Sequence, residues 1–272
     1  MLPKQDLFVQ SNGLTFHVQR IGRGSPLVMI MGLGAPGEKW KHNYELLGEH
    51  FECIVIDNRG AGQSDKPQAE SYATDQMADD VLGIMDALNI QSAHVMGVSM
   101  GGAISQHIAL KAPHRVRSLV LCSTFARATP AFAGAISVLR DLRGQIDPAR
   151  LKQLNQWMTY GQKTLNERPE LLVQHAAVDG AYPYPMPDYA YKAQCNACLG
   201  HDVLARLGGI TAPTLVCAGE KDLFANLDRA KELAAGIPGA RLFVTPEGGH
   251  VHQWEYPEAF DAAVLSFLQE QD

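Results

Sequence analysis

One serine in this chain stands in a sequence context suited to nucleophilic catalysis. Residues 97–101 are Gly-Val-Ser-Met-Gly, between an apolar run at 93–96 and an amphipathic run at 102–111. A serine on a sharp strand-to-helix turn is strained and exposes its hydroxyl, while the flanking glycines let neighbouring backbone pass close. The first amides of the helix point toward negative charge that develops there. The pattern predicts that Ser99 is a nucleophile; the alternative is a plain strand-to-helix turn.

A reactive serine needs two partners, because its hydroxyl is a weak nucleophile at neutral pH. Among the ten histidines, His250 follows a predicted strand at 241–245 and a Pro-Glu-Gly-Gly loop. It therefore lies at a strand end, where open sheets form their crevice, and it is the predicted base. Asp222 follows the strand 214–218 in the same way and is the predicted acid. The order Ser, Asp, His is the one expected when the serine lies in a Gly-x-Ser-x-Gly turn between a strand and a helix, a turn called the elbow below.

Other histidines and acids compete for these roles. His252 is the nearest rival to the base, although packing or lining a pocket suits it better. The remaining rivals, which we assign to core or insertion positions, are His94, His107, His175 and His201. For the acid, the competing interpretation of Asp222 is a solvated loop residue or a helix cap. The alternative acids are Asp202, Asp228 and Glu220.

The elements that must position these residues alternate between short apolar strands and amphipathic helices. Further strands are predicted at 27–31, 53–57 and 116–122, and further helices at 40–49, 76–88, 227–237 and 257–269. The alternation indicates a mostly parallel sheet with both faces covered. Two runs at 8–11 and 15–20, joined by Asn12-Gly13, predict a hairpin that adds an antiparallel edge.

Residues 124–209 break this alternation. Helical patterns occur at 133–142, 149–160 and 170–178, and a proline-rich turn follows at 182–187. We interpret this segment as a helical lid over the carboxyl edge of the sheet. The predicted division is a core of 1–123 and 210–272 and a lid of 124–209.

Composition and charge limit the classes of partner. The 272 residues are 46% hydrophobic and carry a net charge of −6, which argues against nucleic acid. The start of the chain lacks the apolar segment of a signal peptide, and no run approaches the ~18 apolar residues of a membrane span. With an odd number of cysteines, these features predict a cytoplasmic protein. A small-molecule partner is expected, no membrane partner is, and a homo-oligomer stays open.

Two motifs suggest other chemistry but lack the residues that would complete it. Cys195 and Cys198 have C-x-x-C spacing without a second pair or a histidine cluster, so structural packing is predicted. Cys53, Cys122 and Cys217 lie in strand-like runs. The glycines of 57–62 do not open a helix and no P-loop lysine follows. We therefore predict that Asp57 and Arg59 brace a turn, and we predict no cofactor and no metal.

Together these motifs resemble those of the α/β-hydrolase fold family along nearly the whole chain. The matching pieces are Gly97-Val-Ser-Met-Gly-Gly102, Asp57-Asn-Arg-Gly-Ala-Gly-Gln-Ser64, Gly219-Glu-Lys-Asp222, Gly248-Gly-His250 and Trp254-Glu-Tyr-Pro257. The chain is most similar to the enol-lactonase, carboxylesterase and carbon–carbon hydrolase branches. Those branches carry a helical cap between the strand after the elbow and the acid-bearing strand. The resemblance implies an α/β fold with a mostly parallel, eight-stranded sheet, helices on both faces and a helical lid.

Acyl transfer also requires hydrogen-bond donors for the oxyanion of the tetrahedral intermediate. The backbone N–H of Met100, directly after the nucleophile, is one predicted donor. The other is expected in the Gly32-Leu-Gly-Ala35 loop, where the resemblance implies Leu33. Many relatives have His-Gly where this chain has Met31-Gly32, so Gly34 stays as the alternative.

The resulting hypothesis is a serine hydrolase that cleaves a small or medium apolar ester or lactone through an acyl-enzyme. One alternative is hydrolysis of a carbon–carbon bond in a vinylogous diketone, for which Trp254 and Glu255 give slight support. The other is a ligand receptor of the same fold with little turnover.

Overall fold

The centre of the fold is an eight-stranded sheet, which a computed structural model describes within residues 2–272. Its strands are β1 (Lys4–Ser11), β2 (Leu14–Gly22), β3 (Ser25–Ile30), β4 (Phe51–Ile56), β5 (Ala93–Val98), β6 (Val116–Cys122), β7 (Thr214–Gly219) and β8 (Arg241–Thr245). Their order across the sheet is β1-β2-β4-β3-β5-β6-β7-β8. β2 pairs antiparallel with β1 and β4, and every other pair is parallel. The predicted mostly parallel α/β fold is confirmed.

Helices connect the strands on both faces. In chain order they are α1 (Lys41–Leu47), α2 (Thr74–Ala87), α3 (Met100–Lys111), α4 (Pro130–Leu142), α5 (Pro148–Thr159), α6 (Gln162–Glu167), α7 (Pro169–Gly180), α8 (Asp188–Leu199), α9 (Leu227–Gly236), α10 (His252–Glu255) and α11 (Pro257–Gln269). The five helices α4–α8 all lie between β6 and β7. This is the segment that the sequence marks as an insertion.

The antiparallel edge begins with a tight hairpin between β1 and β2. Ser11 pairs with Leu14, so that Asn12 and Gly13 form a two-residue turn. Both have positive φ angles, 49° and 76° respectively. Such a turn matches the twist of the flanking strands and favours Asn-Gly for conformational reasons. The predicted hairpin is therefore confirmed.

Two hydrophobic clusters cover the two faces of the sheet. Successive side chains of a strand point to opposite faces. In β3, accordingly, Val28 and Ile30 belong to one cluster and Leu27 and Met29 to the other. The first cluster includes the apolar sides of α2 and α3, and the second that of α11. Burial on both faces is the physical reason that these strands have continuous apolar sequences.

Three short elements differ from the sequence predictions. The predicted helix at 40–49 is a 3-10 turn at Gly37–Trp40 followed by α1. The six residues of α6 and the four of α10 were not predicted. Segments of this length complete fewer than two helical turns, so they carry no readable apolar period.

Candidate active site

Ser99 occupies a strained turn between β5 and α3. Its φ and ψ angles are 55° and −117°, outside the regions that a serine prefers. Such strain costs on the order of 1–3 kcal/mol and persists only where surrounding contacts enforce it. Here the Ser99 N–H donates to the Cys122 carbonyl at 2.9 Å, and the Thr124 hydroxyl donates to the Ser99 carbonyl at 2.7 Å. The end of β6 thus holds the backbone of the predicted nucleophile from both sides.

At two positions of this elbow only glycine fits, because a side chain would collide with neighbouring backbone. A Cβ on Gly101 would collide with the backbone oxygens of Ile30 and Met31, and one on Gly97 would collide with the backbone of Gly101. The close packing of α3 against β3 and β5 therefore requires that these two positions lack side chains. Ser99 itself is 8% exposed.

Asp222 and His250 form a buried pair at the neighbouring strand ends. His250 Nδ1 lies 2.8 Å from Asp222 Oδ2. The other carboxylate oxygen, Oδ1, accepts hydrogen bonds from the N–H groups of Phe224 and Ala225 at 2.8 and 3.0 Å. The carboxylate is thereby fixed, and it directs His250 to present Nε2 away from it.

The remaining link of the predicted triad is the contact between the base and the nucleophile. Within residues 2–272 the hydroxyl of Ser99 makes no hydrogen bond, so the structure does not join it to His250. Catalytic hydrogen bonds are often long before substrate binds. Ser99, Asp222 and His250 follow β5, β7 and β8, which share one carboxyl edge through consecutive parallel pairs with β6.

The loop that carries His250 is anchored by the lid segment and by Glu255. The His250 N–H donates to the Thr159 carbonyl at 2.7 Å. The buried Glu255 carboxylate accepts from the Gly249 N–H at 2.6 Å and from the Gly161 N–H at 2.9 Å. Burial raises the pKa of Glu255, although these N–H donors oppose the rise. This anchoring role of Glu255 was not predicted from the sequence.

The loop after β3 lies directly against the elbow. A Cβ on Gly32 would lie 3.2 Å from Ser99 Cβ, which shows how closely the loop approaches. The Gly34 N–H is occupied, because it donates to Gln194 Oε1 at 2.9 Å. Among the described residues the Leu33 and Met100 N–H groups have no such partner. This geometry favours Leu33 over Gly34 as the second oxyanion donor.

The rival histidines have other partners. Burial lowers the pKa of His252 to about 4, and its Nδ1 lies 2.8 Å from the Thr245 hydroxyl. His94 contacts Ser118, His201 contacts Thr74, His175 contacts Tyr160, and the ring of His107 packs edge-on against that of His201. His17, which is not among the predicted rivals, lies between the Asp57 and Asp6 carboxylates at 2.8 and 3.0 Å. With both ring nitrogens bonded, His17 has none free to act as a base.

The alternative acids are exposed, and Asp57 and Arg59 of the glycine-rich turn bond to neighbouring protein groups. Asp228 and Asp202 are exposed, and the exposed Glu220 carboxylate accepts the Glu247 N–H at 3.2 Å. In the turn after β4, Asp57 accepts from the N–H groups of Gly37 and Gln63. Arg59 pairs with the buried Asp80 at 2.6 Å. These contacts agree with the bracing role expected for Asp57 and Arg59.

The five cysteines are all buried and free. Burial raises the pKa of the Cys195 thiol to about 12, so that it is protonated at neutral pH. A protonated, buried thiol is a poor nucleophile and a poor metal ligand. The packing interpretation of the C-x-x-C motif agrees with these surroundings.

The segment 124–209 brings apolar side chains to the first hydrophobic cluster. Phe125, Phe132 and Leu139 are buried there. Leu142, Leu154 and Met158 are half-buried against the same cluster, whereas Trp157 is 58% exposed. None of the helices described in residues 2–272 combines the length and the apolar character that crossing a membrane needs.

Comparisons with known proteins agree with the fold. The model of the alpha/beta hydrolase fold matches residues 25–257. A 2-hydroxy-6-oxo-6-phenylhexa-2,4-dienoate hydrolase of Burkholderia cepacia is 32% identical over 260 residues, which cover 93% of this chain and 90% of the relative. A Caulobacter protein (strain K31), provisionally named a carbamate hydrolase, is 30% identical over 89% of this chain and 90% of its own length. The enol-lactonase structure from Burkholderia xenovorans LB400 matches with a TM-score of 0.86 at 28% identity, covering 97% of this chain and all of that one (100%). The chain therefore belongs to the alpha/beta hydrolase fold family.

Proposed function

We propose that this hydrolase-family protein is a serine hydrolase that cleaves a small or medium apolar carboxylic ester or lactone. The observation that carries the proposal is the Asp222–His250 pair, with its 2.8 Å contact, at the sheet edge that also carries the strained Ser99. Membership of the family supports the same reaction class. The enol-lactonase with the same fold supports an ester or lactone as the bond cleaved.

The reaction proceeds by acyl transfer in two halves. Ser99 Oγ attacks the carbonyl carbon while its proton passes to His250 Nε2, and Asp222 stabilises the imidazolium that results. The Leu33 and Met100 N–H groups donate to the oxyanion. Collapse of this intermediate breaks the ester bond, and His250 returns the proton to the leaving alkoxide. Water then attacks the acyl-enzyme with His250 again as base, releasing the acid and free Ser99.

The lid segment 124–209 is proposed to form much of the pocket wall. Its link to the reacting groups is direct, because the Thr159 carbonyl accepts the His250 N–H. Phe224 lies beside the His250 ring, with the two ring centroids 5.2 Å apart and the ring planes tilted by 56°. Apolar neighbours of this kind favour an apolar acyl or lactone group.

Carbon–carbon bond hydrolysis is the second candidate. Its support is the 32% identity to a dienoate hydrolase over 93% of this chain. The same set of a nucleophile, a base and an oxyanion site can act on a vinylogous diketone. Fold similarity does not distinguish the two reactions, because related sites on one fold act on different bonds.

A side-by-side assay distinguishes these functions. The wild type and Ser99→Ala are offered p-nitrophenyl esters of increasing acyl length, simple lactones and a dienoate-type diketone. We expect turnover of esters or lactones, lost in Ser99→Ala. Preferential turnover of the diketone would identify the second candidate. Binding without turnover of any substrate would indicate a ligand receptor, and ester turnover retained by folded Ser99→Ala would refute the proposed nucleophile.

A further inference from the structure

Helix α8 contacts the loop after β3, which carries the predicted oxyanion donor Leu33, and the turn after β4. The side chain of Gln194 on this helix is completely buried. Its Oε1 accepts the Gly34 N–H at 2.9 Å, and its Nε2 donates to the Arg59 carbonyl at 2.8 Å. One amide side chain thus joins the loop after β3 to the turn after β4.

A second side chain on the same face of α8 restricts Gly34. Tyr191 lies three residues before Gln194, and residues at this spacing are neighbours on a helix surface. Gly34 has a φ of +75°, and a Cβ there would lie 3.0 Å from the Tyr191 ring. The ring and the Gln194 amide therefore fix Gly34 from two directions.

Fixing Gly34 has a consequence for the residue before it. The peptide between Leu33 and Gly34 is oriented by the hydrogen bond to Gln194, which restricts the backbone of Leu33. Gly32, on the other side of Leu33, lies against Ser99. Leu33 is thus held between two anchored glycines, and among residues 2–272 its N–H has no hydrogen-bond partner, so that it can donate to an oxyanion beside Ser99.

We propose that Gln194 is a positioning residue of the oxyanion hole, acting through Gly34 on the Leu33 N–H. The inference rests on the proposed serine hydrolase function. Preorganised donors act because they require no rearrangement when charge develops in the transition state. A loop free to move loses that advantage in the transition state while ground-state binding changes less. Gln194 therefore governs kcat more than KM.

Two substitutions of Gln194 and one control on the same helix test this role. Gln194→Met keeps the length of the side chain and removes both hydrogen bonds. Gln194→Glu keeps an acceptor for the Gly34 N–H. The control is Asn196→Leu, because the Asn196 amide also joins α8 to the core, through the Glu70 carbonyl at 2.8 Å, but does not contact the loop after β3.

The measurements are kcat and KM for a p-nitrophenyl ester and the inhibition constant of a trifluoromethyl ketone. This inhibitor forms a tetrahedral adduct whose oxyanion needs the same donors. For Gln194→Met we expect kcat to fall about 10- to 100-fold and inhibitor affinity to fall in parallel, with KM changed less than about threefold. Gln194→Glu should recover part of the loss. Asn196→Leu should leave both quantities near wild type.

Three results would overturn the positioning role. The first is a folded Gln194→Met with wild-type kcat and inhibitor affinity, and the second is an equal loss in Asn196→Leu. If Gln194→Met does not fold, Gln194→Leu, which also lacks both hydrogen bonds, takes its place, and wild-type kcat and inhibitor affinity in that folded variant is the third. Failure of the proposed function is separate, because it would be seen as activity retained by Ser99→Ala in otherwise wild-type protein.

Discussion

At the scale of single residues, Ser99 and His250 are expected to act as one catalytic unit. Ser99→Ala and His250→Ala should each reduce kcat by several orders of magnitude, because either change leaves the other residue without its partner. The double variant should be little worse than either single one. Steady-state kinetics on one p-nitrophenyl ester measures this, with circular dichroism to check folding. Additive losses would indicate that the two residues act independently.

Glu255 is expected to contribute to stability and to catalysis, although the sequence alone does not indicate either role. Its carboxylate accepts two backbone N–H groups, from Gly249 and Gly161, while its side chain is buried. In Glu255→Gln one acceptor becomes an NH2 group facing an N–H donor, which should cost about 1–3 kcal/mol of unfolding free energy. Because Gly249 precedes His250, kcat should fall as well.

Urea unfolding and ester kinetics check the Glu255 prediction, with Glu258→Gln as the matched control. Glu258 is exposed at the start of α11. The same charge change there should leave stability and kcat near wild type. Equal effects of the two substitutions would mean that net charge, and not the anchoring of Gly249, is responsible.

At the scale of elements, the apolar pattern predicts the strands because parallel strands buried on both faces have continuous apolar sequences. It also predicts that Ser99, Asp222 and His250 follow strand ends. It does not predict the role of Gln194, which lies 160 positions from its partner Gly34. Hydrogen bonds over such separations depend on the packing of α8 against two loops, and no local period encodes that packing. The preference for Leu33 over Gly34 as the proposed oxyanion donor rests on this same contact.

Helix α5 offers a test of the lid as pocket wall. Met158 is half-buried and precedes Thr159, whose carbonyl accepts the His250 N–H, whereas Trp157 on the same helix is 58% exposed. Met158→Ala should therefore change the ranking among p-nitrophenyl esters of different acyl length, and Trp157→Ala should not. kcat/KM across the series measures the ranking. An unchanged ranking in Met158→Ala, or the same change in Trp157→Ala, would place the pocket wall elsewhere.

At the scale of the whole molecule, buried histidines should make folding sensitive to acid. Burial lowers the pKa of five of them: His94, His107, His175, His201 and His252. His17 is the exception: burial opposes its charge, but the Asp57 and Asp6 carboxylates raise its pKa. Where the folded pKa is lowered, the unfolded chain binds more protons below about pH 6.5, so stability is lost as the pH falls through this range. Burial raises the pKa of Glu255 and Asp261. At these two groups the folded state binds more protons than the unfolded chain, so their contribution to stability increases as the pH falls.

We therefore expect the free energy of unfolding to be smaller at pH 5 than at pH 7. His201 allows a specific test, because burial lowers its pKa to about 3 and its Nδ1 lies 3.0 Å from the Thr74 hydroxyl. Such a histidine contributes up to about 2 kcal/mol to the loss between these two pH values. His201→Gln keeps a polar partner for Thr74 and removes the titration, so its urea midpoint should depend less on pH. His114→Gln, at an exposed position, should keep the wild-type dependence. A wild type with equal stability at both pH values, or the same slope in His201→Gln, would contradict the assignment of this acid sensitivity to buried neutral histidines.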